Sequence, residues 1–523
     1  MGGLSMEGTI FSLIPPVITI ALIIITKRLF LPLGVGIALG ALLYNQWNIF
    51  DSAANVFNLM MEVLVEDGKV LIFVILIGIL SSLLYLSGGI YAFSEWGVKV
   101  AKTRVQAQMA TMLLGFFTWF DDAFSCLFRG AVMKSVTDKY QVSHSKLSYL
   151  VHSTSAPIAL IVPVSALAAF ITSIIAGVLT SNGITEYQAL EAFLLSIPTN
   201  YYTLSTIVLV FIVAYFGINV GQMRRDEKRA IEEGVLFDTS RGKIPGADNS
   251  KLPTRKDGKM ADLLLPVLTL ILVTIIASIW IGSSSTEGTT SAMELLKNTD
   301  VILALVYGGL LANIVSLTRL FIKKTPGNDI ITSVLSGIKT TLPSVMILFL
   351  ALVTAGIISS LGIGDYLASL IEGNMAIAWL PVIFFIFAAF ISYSIGSTLG
   401  TAGLMIPIGA EIVAAIDITF LIPIIGAVLA GTVFGEHSSP LSDTTILASI
   451  GSSVHPLDHM ITQLPYAILS SISSITGFIV LGFTGNVLIG LVTALITVGI
   501  GAYIMKARSD KTMSLQNIEE IAK

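Results

Sequence analysis

The chain has 523 residues, of which 54% are hydrophobic and only 12% are charged, and its formal net charge is −4. Soluble domains carry about 25% charged residues, and each membrane-spanning helix needs about 20 apolar residues in succession. The composition therefore excludes a water-soluble protein and predicts an all-α polytopic membrane protein. Because Cys126 is the single cysteine, an intramolecular disulfide and a cysteine-rich metal site are also excluded.

Six apolar segments make up the first half of the chain. They are 10–26, 29–47, 68–88, 105–136, 147–179 and 204–220. Lys27 and Arg28, rather than a cleavage site, follow the first segment, so it is predicted to span the membrane. The positions of the basic residues place the N-terminus outside and the acidic loop 48–67 outside as well. Because basic residues flank 105–136 at both ends, it is interpreted as a re-entrant hairpin, and 147–179 as a broken helix.

A polar stretch and a second apolar half follow. The second-half segments are 261–282, 300–317, 341–361, 377–415, 420–453, 461–482 and 484–505. The predicted organisation is a first repeat (1–221), a cytoplasmic linker (222–260), a second repeat (261–482) and an extra helix with a cytoplasmic tail (483–523). Within the second repeat, 377–415 is the predicted hairpin and 420–453 the predicted broken helix, which gives about eleven spanning helices and two hairpins.

Short motifs recur in the same order in both halves. FDDAFSCLFRGAVM (120–133) corresponds to YSIGSTLGTAGLM (393–405), and STSAP (153–157) corresponds to HSSP (437–440). The basic loops give the two copies opposite orientations in the membrane. Inverted repeats with interrupted helices are typical of secondary transporters that work by alternating access, and they disfavour an open channel.

Asp121 and Asp122 lie well inside the apolar run of the first hairpin. A carboxylate at a helix centre costs about 2.5–3.5 kcal/mol even on the lenient insertion scale, so the pair needs a compensating role. We interpret one aspartate as a cation ligand and the other as a hydrogen-bonding partner of the scaffold. Asp122 is favoured as the ligand, and Asp121 stays a candidate. A position at a helix end in the headgroup region is the alternative. Arg129 is an accessory candidate or a structural counter-ion.

The stretch GEHSSPLSDTT (435–445) places Glu436 and Asp443 on either side of a proline. Pro440 removes a backbone donor and breaks the helix, which frees carbonyl oxygens beside hydroxyl groups. Hard cations prefer such oxygens. The predicted ligands of this stretch are Glu436, Ser439, Ser442, Asp443 and Thr444. Helix capping is the alternative for Asp443.

The remaining candidates are accessory groups. His437 is a candidate accessory group of the ion site, and its alternative role is a hydrogen bond to local backbone. The same alternative applies to His152. Small-residue helix packing is the alternative for SIGSTLGT, and HPLDH (455–459) is interpreted as a polar loop. The accessory candidates not yet named are Ser155, Ser397, Thr398 and Thr401.

Three classes of function fit these patterns. They are cation/proton exchange, Na⁺-coupled transport of an organic solute, and a membrane-embedded enzyme. No P-loop, nucleotide fingerprint or nucleophile elbow occurs in the sequence, so an enzyme is not predicted and no cofactor is expected. The basic clusters lie at membrane edges, so they are explained without nucleic acid.

GEHSSPLSDTTILAS, DHMITQLPYA, FDDAFSCLFRGAVMKSVTDKY and KLSYLVHSTSAP together resemble the NhaC-type Na⁺/H⁺ antiporter family. The resemblance implies an elevator-type carrier with paired hairpins, a homodimer in the cell membrane, and Na⁺ and H⁺ as transported ions. It places Asp121, Asp122, Ser439, Ser442 and Asp443, with Thr444, in the ion-binding motifs. Many relatives have Gly-Asp where this chain has Gly435-Glu436. An amino acid or small organic acid is the alternative substrate.

Overall fold

The computed structural model describes residues 9–26, 28, 30–66, 68–89, 91–92, 95, 99, 101–238, 254–284, 300–362, 366 and 377–521. All regular structure in these ranges is helical, which confirms the all-α prediction. The helices are α1 (Ile14–Thr26), α2 (Phe30–Tyr44), α3 (Ile49–Glu66), α4 (Gly68–Ser87), α5 (Arg104–Leu113), α6 (Asp122–Lys139), α7 (His144–His152), α8 (Ala156–Ile161), α9 (Ala166–Ser181), α10 (Ala189–Ser196), α11 (Tyr201–Phe216), α12 (Gly221–Glu232), α13 (Met260–Ser284), α14 (Val301–Ile322), α15 (Gly327–Ser360), α16 (Leu380–Ile395), α17 (Thr398–Ile416), α18 (Leu421–Ser438), α19 (Asp443–Ser452), α20 (Pro456–Thr484) and α21 (Val487–Ile521).

In the described part of the chain, ten helices are long and apolar enough to span a membrane, and eleven spans result if one bent pair counts as a span. That pair joins 144–161 to 166–181 with a bend of 44°. The number agrees with the predicted eleven, although the ten include α16 and α17, the two arms of the second predicted hairpin. The chain is therefore a multi-pass membrane protein. Inverted repeats and an elevator mechanism stay predictions.

Helices begin and end at the four polar stretches. α5 and α6 are separated at 118–121, α7 and α8 at 153–155, α16 and α17 at 396–397, and α18 and α19 at 439–442. The cause is local in two cases. Gly396 adopts a left-handed conformation with φ of 68°, which glycine reaches without a steric penalty, and Pro440 cannot donate the hydrogen bond that would continue α18.

Two polar segments are more helical than the sequence indicates. The predicted outer loop 48–67 contains the 18-residue helix α3, so the loop prediction is wrong there. Apolar residues recur at helical spacing among the polar ones. The segment was predicted as a loop because it is polar on average, and this spacing was not recognised. The predicted linker starts with α12, whose Asp226 and Glu227 are buried. The rest of the linker prediction, at 239–253, and the loop 285–299 lie outside the described residues.

Two small-residue contacts bring the interrupted helices together. A Cβ on Gly130 of α6 would lie 2.7 Å from the carbonyl carbon of Gly451 on α19. A Cβ on Gly396 would lie 2.5 Å from the backbone nitrogen of Ser442. Contacts this short need glycine, because any side chain would separate the backbones. α6 therefore packs on α19, and the turn between α16 and α17 contacts the α18–α19 break.

Candidate functional site

Glu436 is the central group of the candidate site. It lies in the last turn of α18 with 1% of its surface exposed. Its two carboxylate oxygens accept hydrogen bonds from different helices: Thr398 at the start of α17 donates to Oε2, and Thr444 at the start of α19 donates to Oε1. One carboxylate thus joins α17 to α18 and α19.

The other three predicted carboxylates lie at helix N-termini around Glu436. Asp121 caps α6 by accepting from the Phe124 amide at 2.6 Å, whereas Asp122 and Asp443 are the first residues of α6 and α19. Asp122 interacts electrostatically with Asp121, Glu436 and Asp443. The positive end of a helix dipole stabilises a carboxylate at such a position. The structure therefore brings together the acidic residues that lie more than 300 residues apart in sequence.

Exposure separates these carboxylates. Glu436 is buried, Asp121 and Asp122 are half-buried, and Asp443 is exposed. Asp443 is exposed because the α18–α19 turn carries it, together with Leu441, to the surface of the protein.

Hydroxyl groups supply further oxygens next to the carboxylates. Ser442 caps α19 by accepting from the Thr445 amide at 3.2 Å, and its Oγ lies 2.8 Å from Thr444 Oγ1. Among the described residues, no three His, Cys, Asp or Glu side chains are close enough to hold one metal ion. A Na⁺ ion here would therefore need hydroxyl and carbonyl oxygens in addition to one or two carboxylates, as hard cations accept.

The other hydroxyl candidates have local roles. Ser439 accepts from the Leu441 amide, Ser397 caps α17 through the Gly400 amide, and Thr401 donates to the Ser397 carbonyl. They shape the two breaks without contacting Glu436 through a hydrogen bond.

Arg129 of α6 is fully buried, and all five of its N–H groups are engaged. The guanidinium donates to carbonyl or hydroxyl oxygens at 2.5–3.5 Å, and these belong to Thr111, Ser125, Val151, Thr154 and Ser155. The accessory candidate Ser155 is one of these acceptors. Arg129 therefore holds α5, α6 and the α7–α8 break together, and no donor of the five is left to bind a solute anion.

A histidine cluster next to Glu436 was not predicted. His152, His437 and His459 are buried, with ring centroids 4.6 Å and 5.1 Å from that of His152. His437 contacts the Tyr202 hydroxyl at 3.0 Å rather than local backbone. The loop interpretation of HPLDH is also wrong, because α20 begins at Pro456. The spacing of His455 and His459 was the only signal in the sequence, and it gave no indication of the partner helices.

The structural resemblances define the fold class. The chain is similar to MtrF of Neisseria gonorrhoeae, with a TM-score of 0.50, 15% identity and coverage of 83% of this chain and 85% of that one. It is similar to the YdaH transporter of Alcanivorax borkumensis, with a TM-score of 0.53, 14% identity and coverage of 82% and 88%. The chain therefore shares its fold with these two proteins.

The sequence comparisons identify the family. The model of the Na⁺/H⁺ antiporter family matches residues 158–483. An uncharacterised Haemophilus influenzae protein is 33% identical over 96% of both chains. A second protein of that organism, an uncharacterised Na⁺/H⁺ antiporter, is 31% identical over 29% of this chain and 33% of its own. The protein belongs to the Na⁺/H⁺ antiporter family, a family of secondary transporters.

Proposed function

We propose that the protein exchanges Na⁺ for H⁺ across the cell membrane by alternating access. The observation that carries this proposal is the buried Glu436 carboxylate, which accepts hydrogen bonds from Thr398 and Thr444 and interacts electrostatically with Asp122 and Asp443. Protonation removes the negative charge that holds Na⁺, and bound Na⁺ displaces the proton. A carrier that moves only with one of the two bound needs no further part to be an antiporter.

Exchange of an amino acid or small organic acid is the second candidate. Short matches support it: the arginine/ornithine antiporter ArcD of Halobacterium salinarum is 36% identical over 20% of this chain and 22% of its own, and the malate-2H⁺/Na⁺-lactate antiporter of Bacillus subtilis is 39% identical over 16% and 18%. An organic anion normally needs a fixed counter-charge with free donors. The buried Arg129 guanidinium already uses its five N–H groups in hydrogen bonds to the protein. We therefore favour Na⁺ and H⁺ as the transported ions.

The apparent Na⁺ affinity should fall as the pH is lowered, because protons and Na⁺ occupy the same carboxylates. Proteoliposomes containing the purified protein and a trapped pH dye would measure Na⁺-driven proton movement at several pH values. Li⁺, K⁺ and a panel of amino and organic acids replace Na⁺ as controls. A Na⁺ affinity that is independent of pH would contradict the shared site, and solute-dependent exchange would favour the second candidate.

We also propose that the 222–260 segment and the C-terminal tail face the cytoplasm and the N-terminus faces outward. Single cysteines at Ser250 and Ser514, in a Cys126→Ala background, should resist impermeant thiol reagents in intact cells, because the basic segments around them stay inside. The side chains of both positions lie outside the described residues. Thr185→Cys, in the exposed turn after α9, is the matched control and should be labelled. Labelling of Ser250→Cys or Ser514→Cys from outside would refute this topology.

A further inference from the structure

A cavity at the end of two membrane spans has no part in the proposed ion exchange. It has a volume of about 340 Å³ and lies where the α11–α12 turn meets α20 and α21. The residues that line it include Asn219, Gly221, Arg224, Pro465 and Arg508. Binding sites for small molecules have volumes of about 300–1,000 Å³, so the cavity is large enough to hold a small ligand.

The described lining of this cavity is basic. Arg224 and Arg508 contribute two guanidinium groups, and none of the described lining residues is acidic. Asp226 and Glu227, which follow Arg224 on α12, are buried and accept hydrogen bonds from the start of α7 instead. A guanidinium presents planar N–H groups that match the oxygens of a phosphate or carboxylate. The cavity therefore favours an anion.

Neutral donors add to this positive charge. α12 begins at Gly221, and Val220 at its N-cap position makes no side-chain hydrogen bond to the first turn. The first amides of a helix have no carbonyl partner within it, and together with the helix dipole they attract anions. Asn219 directs its side-chain oxygen to the buried Lys146 amine at 3.0 Å. The Nδ2 group of Asn219, which can only donate, therefore lies on the other side of the amide.

The cavity lies at the level where the two spans end. Lys506 is the first charged residue of α21, and Arg224 is the first charged residue after α11. Phe216 and Tyr503, in the turns before them, are exposed aromatic residues, which are typical of the boundary between membrane and water. Lys506 Nζ lies 5.5 Å from the centroid of the Phe216 ring and so connects the two helix ends. A ligand in the cavity is therefore at the depth of the phospholipid headgroups.

An apolar stripe runs along α21 from the membrane to the cavity. Ile496, Ile500 and Ile504 are exposed by 57%, 57% and 46%, and Arg508 follows them at the same spacing of four residues. Residues four apart are neighbours on a helix surface, so the stripe ends at the guanidinium. A soluble anion gains nothing from such a surface, whereas acyl chains pack on it.

We propose that the cavity binds the phosphate of an anionic phospholipid whose acyl chains lie along the stripe on α21. The two guanidinium groups and the first amides of α12 bind the phosphate oxygens. In the proposed topology this lipid belongs to the cytoplasmic leaflet, whose surface is negatively charged. The site is independent of which solute the protein transports.

Native mass spectrometry of the full chain, purified in detergent, would compare dioleoyl phosphatidylglycerol with dioleoyl phosphatidylcholine. The unmodified protein should bind the anionic lipid at least about tenfold more tightly, because each Lys or Arg near the membrane surface strengthens the attraction about fivefold. Arg224→Gln/Arg508→Gln should reduce this preference to less than about twofold. Arg225→Gln/Lys228→Gln removes the same charge from α12 outside the cavity lining. It is the matched control and should keep the preference.

Equal binding of the two lipids to the unmodified protein would overturn the proposal, and so would a preference that survives in Arg224→Gln/Arg508→Gln. An equal loss in the control variant would show a general effect of charge and would refute a defined site. If inorganic phosphate at millimolar concentration displaces the phosphatidylglycerol, the cavity binds a soluble anion and the lipid assignment is wrong. Unchanged binding of phosphatidylcholine verifies that each variant is folded. None of these outcomes bears on Na⁺/H⁺ exchange, which is measured separately as proton movement.

Discussion

Asp122→Asn, Glu436→Gln and Asp443→Asn should each reduce Na⁺-driven proton movement at least about 100-fold. Each change leaves a permanently neutral side chain that can neither hold Na⁺ by charge nor carry the proton. A 100-fold loss corresponds to about 2.7 kcal/mol, since each tenfold change in rate is about 1.36 kcal/mol. The measurement is the rate of proton movement in proteoliposomes after a sudden rise in Na⁺ concentration, divided by the amount of reconstituted protein.

Two further variants serve as controls for these losses. Asp121 caps α6 through the Phe124 amide, and asparagine caps a helix about as well as aspartate. Asp121→Asn should therefore reduce Na⁺-driven proton movement less than about tenfold. Asp417→Asn replaces an aspartate that accepts hydrogen bonds from Thr419 in the connection after α17. Its rate of proton movement should be close to that of the unmodified protein. Full exchange in any one of the three principal variants would remove that residue from the site.

A crosslink between α9 and α15 should abolish transport. We propose that the hairpins and broken helices, at about 105–179 and 377–453, move as one unit against the remaining helices. A Cβ on Gly177 of α9 would lie 3.3 Å from the side chain of Leu352 on α15. The double variant Gly177→Cys/Leu352→Cys is made in a Cys126→Ala background and treated with Hg²⁺. The crosslink would fix the proposed moving unit, which contains this part of α9, to the remaining helices, which include α15.

The control crosslink lies within the proposed stationary part. A Cβ on Gly309 of α14 would lie 3.4 Å from the Cβ of Leu76 on α4, so Gly309→Cys/Leu76→Cys should crosslink while flux continues. Both double variants should transport before Hg²⁺ is added. If the crosslinked Gly177→Cys/Leu352→Cys protein still exchanges ions, the elevator mechanism is wrong for this protein, and a local gating movement replaces it.

The fold class and the positions of the helix breaks followed from the sequence. A bilayer requires long apolar runs with their backbone groups bonded internally, so hydropathy alone indicated the spans. Gly396 and Pro440 interrupt helices through their own backbone chemistry, which depends on no distant partner. The same rule indicated the site carboxylates, because a charge inside an apolar run needs a compensating role. These features are local properties of the chain.

Properties that depend on contacts between distant segments were decided only by the tertiary structure. His152 and His459 are 307 residues apart in sequence, and no periodicity relates them, so their hydrogen bond could not be predicted. The five acceptors of Arg129 come from three segments, and the exposure of Asp443 depends on how the α18–α19 turn packs. Apolar periodicity specifies which face of a helix is buried, but the packing of that face against other helices determines which polar groups meet, and here that packing formed the site.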